Sequence, residues 1–161
     1  MDSYLVLKLL HILSAVVVAG TGFGIAYFMF MVSRSKDRRA IAVTTRHVVL
    51  ADWLFTTPAI VLQLITGILL MRVLDYSFDS LWFQVVIGLY ALIAACWIPV
   101  VFIQYRLRAL ASDHSKELAG DETTQREFQH LMRRWTLLGM AAFTAVLVLF
   151  WIMVFKPFPT A

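Results

Sequence analysis

Four long apolar runs, separated by charged or turn-forming stretches, set the pattern of the chain: Tyr4 to Val32, Val48 to Met71, Leu81 to Tyr105 and Trp135 to Phe155. Crossing a hydrocarbon core of ~30 Å takes about 20 helical residues, and each run is long enough. Inside a bilayer a backbone amide finds no water. Each run must therefore satisfy its own amides and is predicted to be a helix. The expected fold class is all-α, an integral membrane four-helix bundle forming a single domain over residues 1–161. Pro58 and Pro99 fall inside the second and third runs, where each is expected to kink its helix and free a carbonyl. The first run reads as a retained helix and not a cleaved signal, because it is too long and its basic residues follow it.

Within the runs, small and polar residues recur at helical spacing, the mark of helix contacts in lipid. The first helix carries Lys8, His11, Ala15, Gly22 and Ala26 on one stripe. Gly20 and Gly24 form a GxxxG pair on nearly the opposite face, where a homo-oligomer contact is expected. The second helix has the most polar stripe, Asp52, Thr56, Ala59, Gln63, Thr66 and Gly67. The third offers Gln84, Gly88, Ala91 and Ala95; the fourth offers Trp135, Gly139, Ala142, Val146 and Met153. An ionisable group in a span costs about 2.5–3.5 kcal/mol on insertion scales, so Asp52 and His11 need partners or a role. For Asp52 the expected partner is Arg46, Arg106, Arg133 or Arg134, with proton transfer as the alternative.

Charge adds orientation. The first loop carries Arg34, Lys36, Arg38, Arg39 and Arg46, and the third carries Arg106, Arg108, Lys116, Arg126, Arg133 and Arg134. Lys8, Arg72 and Lys156 are all that the other side holds. The positive-inside rule then places loops 33–47 and 106–134 in the cytoplasm and both chain ends outside, as a multi-pass protein of the cell inner membrane. Trp82 and Trp151 at the outer ends, with Trp53 and Trp135 at the inner ends, are expected to anchor the interfaces. The long third loop is expected to extend helices three and four into water, broken near Gly120, with Glu117, Asp121, Glu122 and Glu127 among its cations. A composition of 61% hydrophobic and 15% charged residues agrees with a bilayer. The net charge of +4 follows the loops, so it reads as topology and not as a nucleic-acid surface. The single Cys96 excludes a disulfide framework or thiolate-rich metal site within one chain.

The histidines carry the candidate chemistry. His114, beside Asp113 and Lys116, reads as a solvated loop residue. His47 opens helix two and His130 precedes helix four; each caps or snorkels, or the two form a weaker inner metal site. His11 lies inside the first span. It is either a satisfied packing histidine or the axial ligand of a haem, with Ala15, Ala19 and Gly22 leaving room for a macrocycle. At 1.5 Å per residue it stands ~30 Å from the end of its helix, too far to share a metal with His47 or His130. A second ligand, if there is one, must come from the outer leaflet, where Met71 and Met153 are candidates and Lys8 or Gln84 could act nearby. No HExxH, cysteine pair or carboxylate cluster points to zinc or a di-iron centre.

Lys8 followed by Leu10-His11 resembles the opening of the HemJ-type protoporphyrinogen oxidases and the related CopD-like membrane proteins. Pro58-Ala59-Ile60 with Thr66-Gly67-Ile68-Leu69-Leu70 looks like their second helix, and Lys156-Pro157-Phe158 is similar to the HemJ ending. The resemblance covers nearly the whole chain, on short motifs. It implies haem b bound within the bundle, with His11 as the important histidine, and a membrane oxidoreductase exchanging electrons with a quinone or porphyrin-like partner. Lys8, Arg72 or Lys156 would then pair with the haem propionates. The pattern departs at Gln84, where the HemJ proteins have a lysine, and in the residues flanking Arg133 and Arg134; both departures speak against protoporphyrinogen oxidation itself. Two alternatives stand beside this reading. One is a small CopD-like metal transporter, for which Met29, Met31, Met71, Met140 and Met153 form no evident ladder. The other is an accessory subunit without cofactor, whose polar stripe binds a partner helix.

Overall fold

The computed structural model describes residues 2–35, 37–112 and 122–158. His114, Gly120 and the charged residues Lys36, Asp113, Lys116, Glu117 and Asp121 lie outside them. The described elements are helices α1 (Asp2–Ser35), α2 (Arg38–Ala51), a π-helical turn (Asp52–Thr56), α3 (Thr57–Val73), α4 (Leu81–Ser112) and α5 (Glu122–Phe155). α2, the π turn and α3 run on as one element. Four segments are long and apolar enough to cross a membrane: Ser3–Ser35, Arg39–Val73, Leu81–Ala111 and Thr124–Phe155. The chain is therefore an all-α, four-span membrane protein. At about 1.5 Å per residue the 34 residues of α1 reach past a ~30 Å core. One end of the bundle, the basic end, carries Arg34, Arg39, Arg106 and Arg133, all exposed.

Local chemistry explains where the helices stop. Asp37 caps α2, its carboxylate accepting from the Arg39 and Ala40 amides at 2.9 and 3.1 Å. α3 closes through Asp75, which adopts φ 53°, while the Tyr76 amide donates back to the Met71 carbonyl at 3.0 Å. Pro58 acts differently from the expected kink. The element inserts one extra residue just before it, and the Thr57 amide and hydroxyl both donate to the Asp52 carbonyl. Pro58 has no N–H for the carbonyl one turn back, so the α ladder is already broken there and a π turn costs less.

The bundle consists of two helix pairs, α1 with α3 and α4 with α5. α2 joins them at the basic end by packing on both α4 and α1. An apolar cluster of Ile25, Met29, Val48, Val100, Leu107, Met132 and Trp135 closes this end. Met71, Trp82 and Ile152 close the opposite end, next to the 74–80 turn. Between the clusters the pairs stand apart, bridged where the Tyr90 hydroxyl donates to the Ile60 carbonyl at 2.7 Å. Large apolar side chains such as Phe28, Phe102 and Val154 point outward over the whole circumference, as a lipid-facing surface requires.

Several expectations change. Trp82 and Trp135 are buried, not interfacial: the Trp82 indole donates to the Ile152 carbonyl at 3.3 Å, and Trp135 points into the bundle. Trp53 and Trp151 are exposed, as anchors should be. The Gln84, Gly88, Ala91 and Ala95 stripe of α4 faces outward; its inward face carries Tyr90, Trp97, Val100 and Gln104. Small residues tolerate lipid as well as they tolerate a neighbouring helix, so their period alone does not give the direction. Around Gly20 and Gly24 nothing lies within 4 Å of an added Cβ, so α1 is not contacted on that face within one chain.

Candidate functional site

The polar stripe of the second span splits into two nodes with opposite characters. The first joins α1 to α3 near the turn end. The Gln63 amide nitrogen donates to His11 Nε2 at 2.9 Å, which leaves the ring proton on Nδ1. That N–H meets Thr66 Oγ1 at 2.9 Å, and the Thr66 hydroxyl passes its own hydrogen to the Leu62 carbonyl at 2.6 Å. The Ser14 hydroxyl lies between the His11 carbonyl oxygen and Gln63 Oε1. Gly67 makes room for the ring: a Cβ there would stand 3.3 Å from His11 Cε1. Every polar atom of the imidazole is engaged. The node is a satisfied interhelical clamp.

A haem at His11 needs a free ring nitrogen and open space beside it. His11, Met71 and Met153 do line one cavity, but it holds about 70 Å³. Sites for molecules the size of a macrocycle run to about 300–1,000 Å³. Both ring nitrogens already have partners on α3, so no lone pair faces an open space. Met71 is packed in the apolar cluster with Trp82 and Ile152. Lys8 is exposed over the Tyr4 ring, and Lys156 donates to the Tyr76 hydroxyl at 2.6 Å. Gln84 is exposed and donates to the Asp79 carbonyl at 3.1 Å, away from His11. As arranged, these residues do not fit a haem. His47 and His130 are exposed on α2 and α5, which do not pack closely on one another. Among the described residues no three His, Cys, Asp or Glu side chains gather as a metal would need.

The second node lies toward the basic end, and it is not satisfied. Asp52 is only 4% exposed and has no arginine partner among the described residues: Arg46, Arg106, Arg133 and Arg134 are all exposed, and Arg106 pairs with Glu127 at 2.9 Å instead. Their long side chains reach water more cheaply than they reach a carboxyl this deep. Among the described residues, the buried side-chain atoms without a hydrogen-bond partner are Asp52 Oδ2, Thr56 Oγ1, Trp97 Nε1, Gln104 Oε1 and Trp135 Nε1. All five residues line one cavity of about 440 Å³. Its remaining wall is apolar and partly small, with Ala19, Gly22, Gly139 and Ala142 leaving the space.

The π turn builds this node. It turns Asp52 and Thr56 inward while Trp53, Leu54 and Phe55 face out. π turns of this kind recur at functional sites. α4 contributes Trp97 and Gln104, two helical turns apart on one face, and α5 contributes Trp135. Phe23, Tyr27 and Phe30 of α1 and Met140 and Phe143 of α5 line the same cavity and are exposed on the outside of the bundle. The cavity thus opens sideways between α1 and α5, the slightest of the substantial helix contacts. Toward the turn end a second, smaller cavity of about 120 Å³ shares Ile60, Ile93 and Val146 with it and reaches Gln63 and Tyr90. The sequence pointed to Asp52, Thr56, Trp135 and the small residues, but not to Trp97, Gln104 or Tyr90. Their signal was a Trp and a Gln seven residues apart in an otherwise apolar run.

A family model described as predicted integral membrane protein (DUF2269) matches residues 5–157, so the chain belongs to that family. No curated protein and no solved structure matches.

Proposed function

We propose that this integral membrane protein binds a lipid-soluble small molecule in the cavity formed by α1, the π turn, α4 and α5. One observation carries the reading: the unpartnered buried polar atoms converge on a single cavity that is otherwise apolar. Each buried polar atom left without a partner costs about 1–3 kcal/mol. A convergent set of such atoms favours a bound molecule that supplies their partners. The apolar wall and the sideways opening fit a ligand that arrives from the bilayer and not from water.

The reading is tested by filling the space. Nothing lies within 4 Å of a Cβ built on Gly139, so a larger side chain there enters the cavity without moving backbone. Organic extracts of purified wild type and Gly139→Phe protein are compared by mass spectrometry. A lipophilic compound enriched with the wild type and depleted at least about tenfold in the variant, at equal helix content, is expected. Identical extracts from two folded proteins sink the proposal.

A further inference from the structure

The orphaned groups also specify the head of the ligand, an inference that rests on the binding reading above. Trp97 Nε1 and Trp135 Nε1 are obligatory donors and need an acceptor. Gln104 Oε1 is an acceptor, as is Asp52 Oδ2 when the carboxyl is ionised, and both then need a donor, while the Thr56 hydroxyl serves either way. A pure acceptor head, such as a carbonyl pair, relieves the indoles and leaves the carboxylate and amide oxygens alone. An organic cation does the reverse. Only a head that donates and accepts through the same few atoms answers both sets, and a hydroxylated aromatic ring does so compactly. Its flat ring suits a cavity walled by Trp97, Trp135, Tyr27 and Phe30.

The space beyond the head has its own shape. Next to the main cavity, sharing Ile60 and Val146 with it, lies a smaller and almost wholly apolar cavity of about 120 Å³ that reaches Gln63 and Tyr90. A space of that size beside the head suits a linear hydrocarbon chain better than a second ring system. We propose that the cavity binds a phenolic, hydroquinone-class ring bearing an alkyl or isoprenoid chain. The ring hydroxyls donate to Asp52 and Gln104 and accept from the two indoles, and the chain lies in the smaller cavity between the helix pairs.

The test is equilibrium binding under argon to the full chain in lipid nanodiscs, with empty discs subtracted. The probes are decylubiquinol, its di-O-methyl ether, decylubiquinone and tetraphenylphosphonium. The ether keeps ring and chain and removes both donors. Decylubiquinol is expected to bind about tenfold or more tightly than the ether and the quinone. Asp52→Asn, whose amide also donates, is expected to shrink that preference to within about threefold. Gly139→Phe, with Ala142→Phe as a second filler and thermal unfolding as the check on folding, is expected to abolish binding. Equal affinity for quinol, ether and quinone, still lost on filling, overturns the head-group inference and leaves the binding reading standing. Tetraphenylphosphonium binding more tightly than the quinol, in a manner dependent on Asp52, also overturns it. Binding of no probe, or binding indifferent to both fillers in folded protein, removes the binding reading as well.

Discussion

At the scale of single residues, the two ionisable groups placed deepest in the spans have opposite fates. His11 spends both ring nitrogens on α3, through Gln63 and Thr66, and Gly67 is small because the ring lies against it. Asp52, ringed by Thr56, Gln104 and Trp97, keeps its Oδ2 without a partner. A residue whose bonds are closed holds structure; one whose bonds are open is held for something else. This gives His11→Ala a specific expectation. Thr66 keeps its bond to Leu62 and Gln63 keeps Ser14, so the loss is confined to two interhelical bonds. Such bonds are worth about 0.6 kcal/mol each on average in membrane bundles, so the variant should unfold about 1 kcal/mol more easily in a mild-detergent denaturation series. The visible absorption spectrum, oxidised and dithionite-reduced, should be the same for both proteins. A haem band present in the wild type and lost in His11→Ala would show that the clamp opens to take a ligand.

At the scale of elements, the second span holds the device that separates the two nodes. A regular helix from Arg38 to Val73 would keep Asp52, Thr56, Gln63 and Thr66 on one stripe. The extra residue of the π turn offsets the two halves by up to about 100°, so the later half meets α1 while the earlier half faces α4 and the cavity. Deleting Leu54, which faces outward and makes no polar contact, should restore an α register. α3 keeps its seam with α1, and Asp52 rotates away from Trp97 and Gln104. Helix content and the α1–α3 clamp should survive, and binding of decylubiquinol should fall at least about tenfold; binding unchanged from wild type would show that the π turn does not set the site. Here the limits of the sequence are physical. The four spans were legible because bilayer thickness fixes their length, and Asp52 stood out because charge is rare inside them. The inward face of α4 was not, since Gly88, Ala91 and Ala95 pack equally well against lipid, while Trp97 and Gln104 gain meaning only from what they face. Nor does any residue type announce the π turn. Pro58 marks where the α ladder lacks a donor, and that is as near as the sequence comes to it.

At the scale of the whole molecule, two tightly packed helix pairs held together mainly at their ends make a cleft between them. In water such a cleft would collapse under the hydrophobic effect. In lipid no such force acts between helices, so a cleft can persist if its occupants are as apolar as the tails outside. The polar floor at Asp52 then distinguishes one occupant from bulk lipid, and the seam between α1 and α5 decides how it enters. Phe23 and Phe143 face each other across that seam with ring centroids 6.2 Å apart. Cysteines at both positions, in a Cys96→Ala background, place two thiols where a short bifunctional maleimide can span the opening. Cross-linking before the probe is added should slow decylubiquinol binding by at least about tenfold. Cross-linking after it is bound should slow release by a similar factor, with affinity nearly unchanged, because a gate alters both rates and not their ratio. If both rates are untouched while cross-linking is complete, the ligand enters elsewhere, and the smaller cavity at Gln63 and Tyr90 becomes the route to block.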